Sequence, residues 1–294
     1  MTPQQRPIRK SLARSLLEAV LLSFGGLCLL GFLFQSHLIY HPQQTIQATP
    51  DQLGLAYEAA TFRASDGVQL AAWWVPAPEP KAALLYCHGN GGNISHLLPH
   101  LEMFHRLGIQ VLLFDYRGYG HSQGEPSEQG TYLDAEAAWR YLIEQRGVPA
   151  NQILIFGQSL GGAIAAWLAA RHTPAALILE SAFTSLPAIG AVHYPYLPVR
   201  WLARFDYNTI GSLRQVRSPV LVIHSRQDEM IPFSHGQRLF EAAPDRKMFL
   251  EITGDHNSGF LTSVAAYEEG LRNFLTTHVL PIQSTPQSHR NRRR

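Results

Sequence analysis

The sequence predicts an α/β fold in which a mostly parallel β-sheet is covered by helices on both faces. Two observations lead to this prediction. Short runs of continuously apolar residues alternate along the chain with segments of helical pattern, and strands that are apolar on both sides are typical of a parallel sheet buried between helices. The chain also has 294 residues, of which 46% are hydrophobic and 16% charged, so it is long enough for one large domain with a sizeable core.

The predicted elements follow one another in a regular order from residue 57. Two short strands joined by the turn residues Ser65-Asp66-Gly67 open the domain, and such a hairpin adds antiparallel strands at one edge of the sheet. The alternating part of the pattern follows. The predicted strands are 57–63, 68–75, 82–87, 109–114, 153–156, 175–179, 220–224 and 248–252, and the predicted helices are 94–107, 128–146, 162–170, 234–242 and 264–275.

The N-terminal segment has the pattern of a membrane anchor. Basic side chains are concentrated in residues 1–15, and residues 16–34 are almost wholly apolar. At about 1.5 Å per residue, a helix of this length just spans a hydrocarbon core of about 30 Å. We therefore expect a single transmembrane anchor over residues 16–40, in which Tyr40 lies at the membrane surface as an aromatic anchor. A cleaved signal peptide and a core helix are the alternatives, and residues 35–40 make a poor cleavage site.

The charge distribution gives an expected orientation and excludes one class of partner. Basic residues before the first span favour a cytoplasmic N-terminus, which puts the globular domain on the far side, in a periplasm or a lumen. The formal net charge is only +2, and the basic residues lie mainly at the two ends of the chain, so no nucleic acid partner is expected. The two cysteines, Cys28 and Cys87, do not form a disulfide framework.

The remaining segments complete the domain organisation. Residues 41–56 are expected to form a linker, residues 57–280 the globular domain, and residues 281–294 a basic disordered tail. Within the domain, residues 182–210 are rich in proline and aromatic residues and are expected to form a small cap. The sequence makes no prediction of oligomeric state.

The most informative stretch is residues 157–161, Gly-Gln-Ser-Leu-Gly, which has the form G-x-S-x-G between a strand pattern and a helix pattern. On a sharp strand-to-helix turn, the serine hydroxyl is held out above the edge of the sheet. The glycines are needed because a Cβ there would collide with neighbouring backbone. Ser159 is therefore a candidate nucleophile, and the amide of Leu160 at the helix N-terminus is a candidate oxyanion donor. A plain turn serine is the alternative interpretation.

Two further candidates follow the last two predicted strands. In a doubly wound sheet, functional residues gather beyond the carboxyl ends of the strands. Asp228 and His256 lie in such positions, and the chain order Ser159, Asp228, His256 is that of the sheet-based serine hydrolases. Glu229 and Asp255 are neighbouring carboxylates and remain alternatives to Asp228.

The chemistry of an activated serine needs all of these residue types. A serine hydroxyl is a weak nucleophile and needs a base, which His256 would supply before protonating the leaving group. Asp228 would fix the imidazole tautomer and stabilise the imidazolium. The Gly-rich loop 88–93 can expose backbone N–H groups towards the nucleophile, and Asn90 is expected to donate the second oxyanion hydrogen bond. The loop lacks the lysine of a phosphate-binding loop.

The motifs together resemble the α/β-hydrolase superfamily. They are His-Gly-Asn-Gly-Gly-Asn at 88–93, Asp-Tyr-Arg-Gly-Tyr-Gly-His-Ser at 115–122, Gly-Gln-Ser-Leu-Gly at 157–161, Glu-Ser-Ala-Phe-Thr-Ser at 180–185 and Gly-Asp-His-Asn at 254–257. The combination most resembles the BEM46-like branch of membrane-anchored serine hydrolases, which includes the alpha/beta hydrolase domain-containing proteins 13 and 17. The resemblance covers about residues 39–275. It implies an eight-stranded sheet, a Ser-Asp-His triad, no metal and no organic cofactor.

The function implied is that of a membrane-anchored serine hydrolase that cleaves carboxylic esters or thioesters. Its substrate would be a small-molecule or lipid-like acyl compound. Some relatives are similar to depalmitoylating thioesterases, whose cysteine-rich N-terminus is missing from this sequence. A serine peptidase acting on short peptides and a non-catalytic binding module on the same fold are the alternatives.

Overall fold

The computed structural model describes residues 6–279 and contains one large sheet of eight strands. The strands are β1 (Glu58–Arg63), β2 (Gln69–Val75), β3 (Ala82–Cys87), β4 (Ile109–Phe114), β5 (Ile153–Gln158), β6 (Ala176–Glu180), β7 (Val220–Ser225) and β8 (Lys247–Ile252). Their order across the sheet is β1-β2-β4-β3-β5-β6-β7-β8. Strand β2 runs antiparallel to both of its neighbours, and all other neighbouring pairs are parallel. The predicted fold class is confirmed.

The helices connect and cover the strands. They are α1 (Arg6–Leu33), α2 (Gln35–Ile39), α3 (Leu98–Arg106), α4 (Glu128–Arg140), α5 (Leu160–Ala169), α6 (Leu186–His193), α7 (Val199–Leu202), α8 (Thr209–Leu213), α9 (Phe233–Ala242), α10 (Gly259–Thr262) and α11 (Val264–Phe274). The helix predicted at 94–107 opens with a 3-10 turn, Ile94–Leu97, and the helix predicted at 128–146 ends in a π turn, Tyr141–Gln145. The expected cap segment, 182–210, contains α6 and α7.

The sheet lies between two apolar layers. Helices α4, α5 and α9 contribute to one layer, and α3 and α11 to the other. Along β3, successive side chains alternate between the layers, with Leu85 in the first and Leu84 and Tyr86 in the second. Every residue of β3 is buried. This is why the strand has no polar alternation in its sequence, as expected of a strand covered on both faces.

Helix α1 contains a candidate membrane span over Ala13–Leu33, near the N-terminus, and none of that span is buried against the rest of the protein. A long apolar helix without protein cover fits a membrane anchor, and a signal sequence has the same character. The helix ends where Phe34 leaves the helical conformation. The expected tail, residues 281–294, lies outside the described residues.

The segment after α1 differs from the expected linker, because it lies on the domain. His41–Pro42 pairs with Gly91–Gly92 as a short parallel ladder, and the side-chain amide of Asn93 donates to the carbonyl of Thr45 at 2.8 Å. The segment takes part in these attachments through its own backbone groups, which leave no pattern in residue type. Residues 41–45 are therefore hydrogen-bonded to the domain.

Tyr40 also differs from the expectation of a membrane-surface position. Its side chain is 5% exposed. Its hydroxyl lies 2.7 Å from the hydroxyl of Tyr207, and its ring meets Phe205 edge-on with ring centroids 5.8 Å apart. An aromatic ring with a polar tip suits a membrane interface and a protein interior equally well, so the residue type alone did not distinguish the two.

Candidate active site

Ser159 lies at the sharp turn between β5 and α5. Its backbone has φ 52° and ψ −118°, a conformation that is uncommon for any residue except glycine and costs conformational energy. Two hydrogen bonds hold it: the Ser159 N–H donates to the carbonyl of Glu180 at 2.9 Å, and the Ser159 carbonyl accepts from the Gly162 N–H at 3.0 Å. The turn therefore holds the serine at the carboxyl edge of the sheet.

The glycines around Ser159 allow the helix to approach the sheet closely. A Cβ on Gly161 would collide with the carbonyl oxygen of Cys87 at the end of β3, and a Cβ on Gly157 would collide with the carbonyl of Gly161. A Cβ on Gly162 would lie only 2.5 Å from the Cβ of Ala182. Side chains at these positions would push α5 away from the strand ends, so the G-x-S-x-G spacing has a direct steric cause here.

The structure brings Ser159, His256 and Asp228 into one line of hydrogen bonds. The Nε2 atom of His256 is 3.1 Å from Ser159 Oγ, and its Nδ1 atom is 2.8 Å from Asp228 Oδ2. The other carboxylate oxygen, Asp228 Oδ1, accepts the backbone N–H groups of Met230 at 3.0 Å and Ile231 at 2.7 Å. Residues that lie far apart in the chain thus meet beyond the carboxyl ends of β5, β7 and β8.

The environment of Asp228 keeps its carboxyl ionised. Burial raises the pKa of this carboxyl. The hydrogen bond and charge of His256, together with the Ile231 amide, lower the pKa by more than burial raises it, so the pKa lies below its ordinary value. An ionised carboxylate can only accept hydrogen bonds. We therefore assign the proton of the neutral His256 ring to Nδ1, which leaves Nε2 as an acceptor facing the serine hydroxyl.

The two neighbouring carboxylates are used elsewhere. Glu229 Oε2 accepts the backbone N–H of His256 at 3.0 Å. Asp255 Oδ1 accepts the backbone N–H groups of Asn257 at 3.0 Å and Ser258 at 2.7 Å. The carboxylate that contacts the imidazole is that of Asp228, so the geometry favours Asp228 over both alternatives.

His224 is a buried neighbour of Asp228 that sequence reasoning missed. Its Nε2 atom is 2.8 Å from the carbonyl of Ile231 and 3.5 Å from Asp228 Oδ2. Burial lowers the pKa of His224, which favours a neutral ring that donates to the Ile231 carbonyl. A Cβ on Gly236 of α9 would lie 2.7 Å from this ring, so helix and histidine are in close contact. The sequence feature that could have identified His224 is its position as a histidine near the end of an apolar strand.

The candidate oxyanion donors lie on either side of the serine. Leu160 is the first residue of α5, and the first amides of a helix have no acceptor within it. Gly89 lies against the serine, since a Cβ on it would be 3.7 Å from Ser159 Cβ. The side-chain amide of Asn90 donates to the carbonyl of Ile39 at 2.8 Å. Because its side-chain amide is used there, the candidate oxyanion donor of Asn90 is its backbone N–H.

The Gly-rich loop is fixed by contacts beyond its own strand. The carbonyl of Asn90 accepts the backbone N–H of His41 at 2.9 Å and the hydroxyl of Tyr119 at 2.7 Å. Together with the Asn90 side chain, these bonds hold the loop against the segment that follows α1. A fixed loop can present a backbone donor without reorganisation, which is the requirement for stabilising a developing charge.

A buried polar cluster lies beneath the serine turn, and the sequence analysis did not identify it. Glu180, the last residue of β6, is 3% exposed. Its carboxylate accepts the side-chain amide of Gln158 at 2.9 Å and the hydroxyl of Tyr267. A carboxylate at the end of an otherwise apolar strand needs buried partners, and this was the signal that the sequence offered.

The same cluster reaches the segment that carries His256. The Nε2 atom of His100 lies 3.4 Å from Glu180 Oε1, and its ring stacks on Phe260 with centroids 3.8 Å apart. Phe260 follows His256 within the loop and helix α10. The buried cluster thus connects the end of β6 with the loop that presents the imidazole.

A second buried pair lies under the Gly-rich loop. His88 Nδ1 is 2.7 Å from the carbonyl of Gly89, and Asp115 Oδ1 accepts the N–H of Ile94 at 2.9 Å. Burial lowers the pKa of His88 to about 4 and raises the pKa of Asp115 to about 7. Both shifts favour the uncharged form. Among residues 6–279, no three His, Cys, Asp or Glu side chains are arranged to hold a metal ion.

Comparison with known proteins identifies the family. Residues 78–210 match the family described as Serine aminopeptidase, S33. The chain is 37% identical over 272 residues to an uncharacterized protein of Mycobacterium tuberculosis, covering 92% of this chain and 97% of that one. It is 36% identical over 220 residues to protein bem46 of Schizosaccharomyces pombe, covering 69% of this chain and 73% of that one. The chain belongs to the BEM46-like branch of the α/β-hydrolase superfamily.

The fold of this BEM46-like hydrolase agrees with solved structures. An esterase of Pyrococcus furiosus superposes with a TM-score of 0.69 at 20% identity, over 82% of this chain and 98% of that one. The resemblance inferred from the motifs is confirmed, and so is the α/β-hydrolase fold that it implied. Family and fold together support an α/β hydrolase.

Proposed function

We propose that this BEM46-like hydrolase is a membrane-anchored serine hydrolase that cleaves carboxylic esters or thioesters through an acyl-enzyme. The observation that carries the proposal is the continuous line of hydrogen bonds from Ser159 Oγ through His256 to Asp228, with distances of 3.1 Å and 2.8 Å. This is the geometry needed for a base to activate a hydroxyl and for a carboxylate to orient the base.

In the first half of the reaction, His256 Nε2 takes the hydroxyl proton of Ser159 as Oγ attacks the substrate carbonyl carbon. The new C–O bond moves an electron pair onto the carbonyl oxygen, and the backbone N–H groups of Leu160 and Asn90 stabilise that negative charge. The imidazolium keeps its Nδ1–H bonded to Asp228. The tetrahedral intermediate then collapses, and the departing alcohol or thiol takes the proton from His256 Nε2.

In the second half, water replaces the leaving group beside His256. Nε2 takes a proton from the water as its oxygen attacks the acyl carbon, and the same N–H groups hold the oxyanion. Collapse releases the carboxylic acid and returns the proton to Ser159 Oγ. Every proton is carried by His256, so the reaction needs no oxidant, reductant or further reactant besides water.

The anchor and the cap support an acyl substrate at a membrane. Helix α1 is long and apolar enough to cross a bilayer, and the basic residues before it favour a cytoplasmic N-terminus with the catalytic domain on the far side. The cap exposes aromatic side chains, among them Trp201 and Tyr196. These features favour a small-molecule or lipid-like acyl compound as the substrate.

A serine peptidase acting on short peptides is the second candidate, and the description of the matching family favours it. Such an enzyme would need a group that binds the peptide amine. Besides Asp228, the loops around His256 contain the carboxylates of Glu229 and Asp255, and each already accepts at least one backbone N–H. Comparing turnover of nitrophenyl acyl esters with that of aminoacyl nitroanilides distinguishes the two candidates.

Covalent labelling by a fluorophosphonate tests the proposal directly, because only an activated serine attacks that electrophile. We expect labelling of the wild type and none of Ser159→Ala. The matched control is Ser181→Ala, since Ser181 also follows a strand and also has a positive φ, of 45°, and it should label normally. Equal labelling of Ser159→Ala would overturn the assignment of the nucleophile. Absence of labelling in the wild type would favour a non-catalytic binding module.

A further inference from the structure

The cap segment, residues 182–210, exposes an unusual amount of apolar and aromatic surface. Its large exposed side chains are Val192 at 48%, Tyr194 at 44%, Tyr196 at 66% and Trp201 at 89% exposure. Clustered exposure of this kind marks a surface that something covers. The question is therefore what lies against this face of the cap.

The end of α1 is attached to the same segment. The side-chain amide of Gln35 donates to the carbonyl of Leu202 at 2.6 Å and accepts the backbone N–H of Arg204 at 2.8 Å. The guanidinium of Arg204 also lies over the ring of Phe32, 5.4 Å from its centroid. These contacts come from the last residues of the apolar helix and the first residues after it. They fix the cap beside the point where the candidate span ends.

The dimensions of a bilayer place this attachment in the headgroup layer. The candidate span ends at Leu33, and Gln35 follows it at a helical rise of about 1.5 Å per residue. The headgroup region is about 5 to 8 Å deep on each side, from a core of about 30 Å in a total of about 40 to 45 Å. Backbone bonded to Gln35 must therefore lie within that depth when α1 crosses the membrane.

The side chains presented there are those that a headgroup layer favours. Trp and Tyr are enriched at membrane interfaces because one end of the ring system is apolar and the other polar. Arg200 and Arg204 are exposed beside Trp201, and basic side chains next to a membrane are attracted to lipid phosphates. The combination of aromatic and basic residues matches a lipid surface better than a purely apolar protein partner.

We propose that the exposed aromatic residues of the cap, Tyr194, Tyr196 and Trp201, lie in the headgroup layer of the bilayer that α1 enters. The cap is then a second membrane contact, besides the anchor itself. It is close to the site: His193 Nε2 donates to the carbonyl of Met230 at 2.8 Å, and the N–H of Met230 donates to Asp228. The inference rests on the anchoring proposed above and does not depend on the catalytic assignment.

A fluorescent label at the cap tests this contact in the full-length protein. Cys28 is replaced by Ser, and Cys87 is 0% exposed, so a thiol-reactive NBD probe reports only an introduced cysteine. Trp201→Cys carries the probe, and Tyr196→Cys repeats the measurement if the first variant misfolds. The matched control is Gln215→Cys. Gln215 is exposed and precedes β7, so it lies towards the amino ends of the strands, whereas the cap follows the carboxyl end of β6. Each protein is reconstituted as single copies in phosphatidylcholine nanodiscs.

Phospholipid that carries a nitroxide near the headgroup then serves as the quencher. We expect the probe at 201 or 196 to lose more than half of its emission and the probe at 215 to keep its emission. An equal fractional loss of emission at the cap and control positions would overturn the proposal. A blue shift that appears without lipid quenching, and only with two copies per disc, would assign the surface to a second chain instead. Failure of the chain to stay with the discs at all would refute the proposed anchor and, with it, the cap contact that rests on it.

Discussion

Replacing Asp228 by Asn is the sharpest perturbation of the proposed triad. The side chain has two distinct halves: Oδ1 accepts the N–H groups of Met230 and Ile231, and Oδ2 faces His256 Nδ1. An Asn side chain has one acceptor and one donor. If its NH₂ group faced the two amides, both would lose their acceptor, at about 1 to 3 kcal/mol each. The oxygen therefore keeps the amides, and the NH₂ group faces His256.

This orientation reverses the tautomer of the imidazole. Because the Asn NH₂ group donates to Nδ1, the ring proton moves to Nε2 and points at Ser159 Oγ. The ring then has no lone pair to accept the serine proton. The expected loss in kcat is on the order of 10⁴-fold, which corresponds to about 5.5 kcal/mol of activation free energy at about 1.36 kcal/mol per factor of ten. The number of hydrogen bonds made by the side chain at position 228 stays the same, so the melting temperature should change little.

The assay is turnover of a short-chain nitrophenyl ester, with a thermal melt for each variant. Glu229→Gln and Asp255→Asn are the matched controls, because each removes one carboxylate charge near His256 without contacting the ring. Both should retain most of the wild-type kcat. The reasoning is refuted if Asp228→Asn keeps its activity while folded, or if either control shows the larger loss.

Two further predictions concern stability. Gly161→Ala should lower the free energy of unfolding by about 3 kcal/mol or more, because the new Cβ would collide with the Cys87 carbonyl. Gly91→Ala is the control: no atom lies within 4 Å of its new Cβ, so the free energy of unfolding should change by no more than about 0.5 kcal/mol. Chemical unfolding that gave equal losses for the two variants would contradict this. Asp115 has a pKa of about 7 in the folded protein because of burial, against about 3.9 in an unfolded chain, so the folded state binds more protons and stability should fall as pH rises through this window. Asp115→Asn should flatten that fall, and melts at several pH values that keep the wild-type slope in the variant would argue against the shift.

The strands and the serine turn were predictable because their physical causes leave marks in residue type. Strands β3 and β4 match their predicted ends at both termini, since a strand buried on both faces is apolar at every position. Ser159 and its glycines were found because backbone collisions at Gly157 and Gly161 exclude any side chain. Asp228 and His256 were found because they follow predicted strand ends, and parallel strands deliver their loops to one edge of the sheet.

The remaining features of the site depend on contacts that no local pattern records. His224 and Glu180 each appear in the sequence as a polar residue at the end of an apolar strand. Tyr267, which donates to Glu180, lies far away in the chain, and the Ile231 carbonyl bonded to His224 is a backbone group that leaves no mark in residue type. The packing of Tyr40 on Tyr207 was missed for the same reason. A polar group that ends in a protein interior is identified by its partner, and the partner is known only once the chain has folded.

The attachment of residues 39–43 to the Gly-rich loop links the proposed membrane anchor to the proposed oxyanion donor. Asn90 is bonded to Ile39 and His41, and its backbone N–H is the proposed oxyanion donor. A protease that cuts within α1, ahead of Ile39, would release a catalytic domain whose loop is still supported. A cut beyond Gln43 would release a domain of nearly the same size whose loop has lost that support. If the chain is anchored as proposed, shedding from the membrane yields an active soluble enzyme or an impaired one, depending on a shift of only a few residues in the cleavage site.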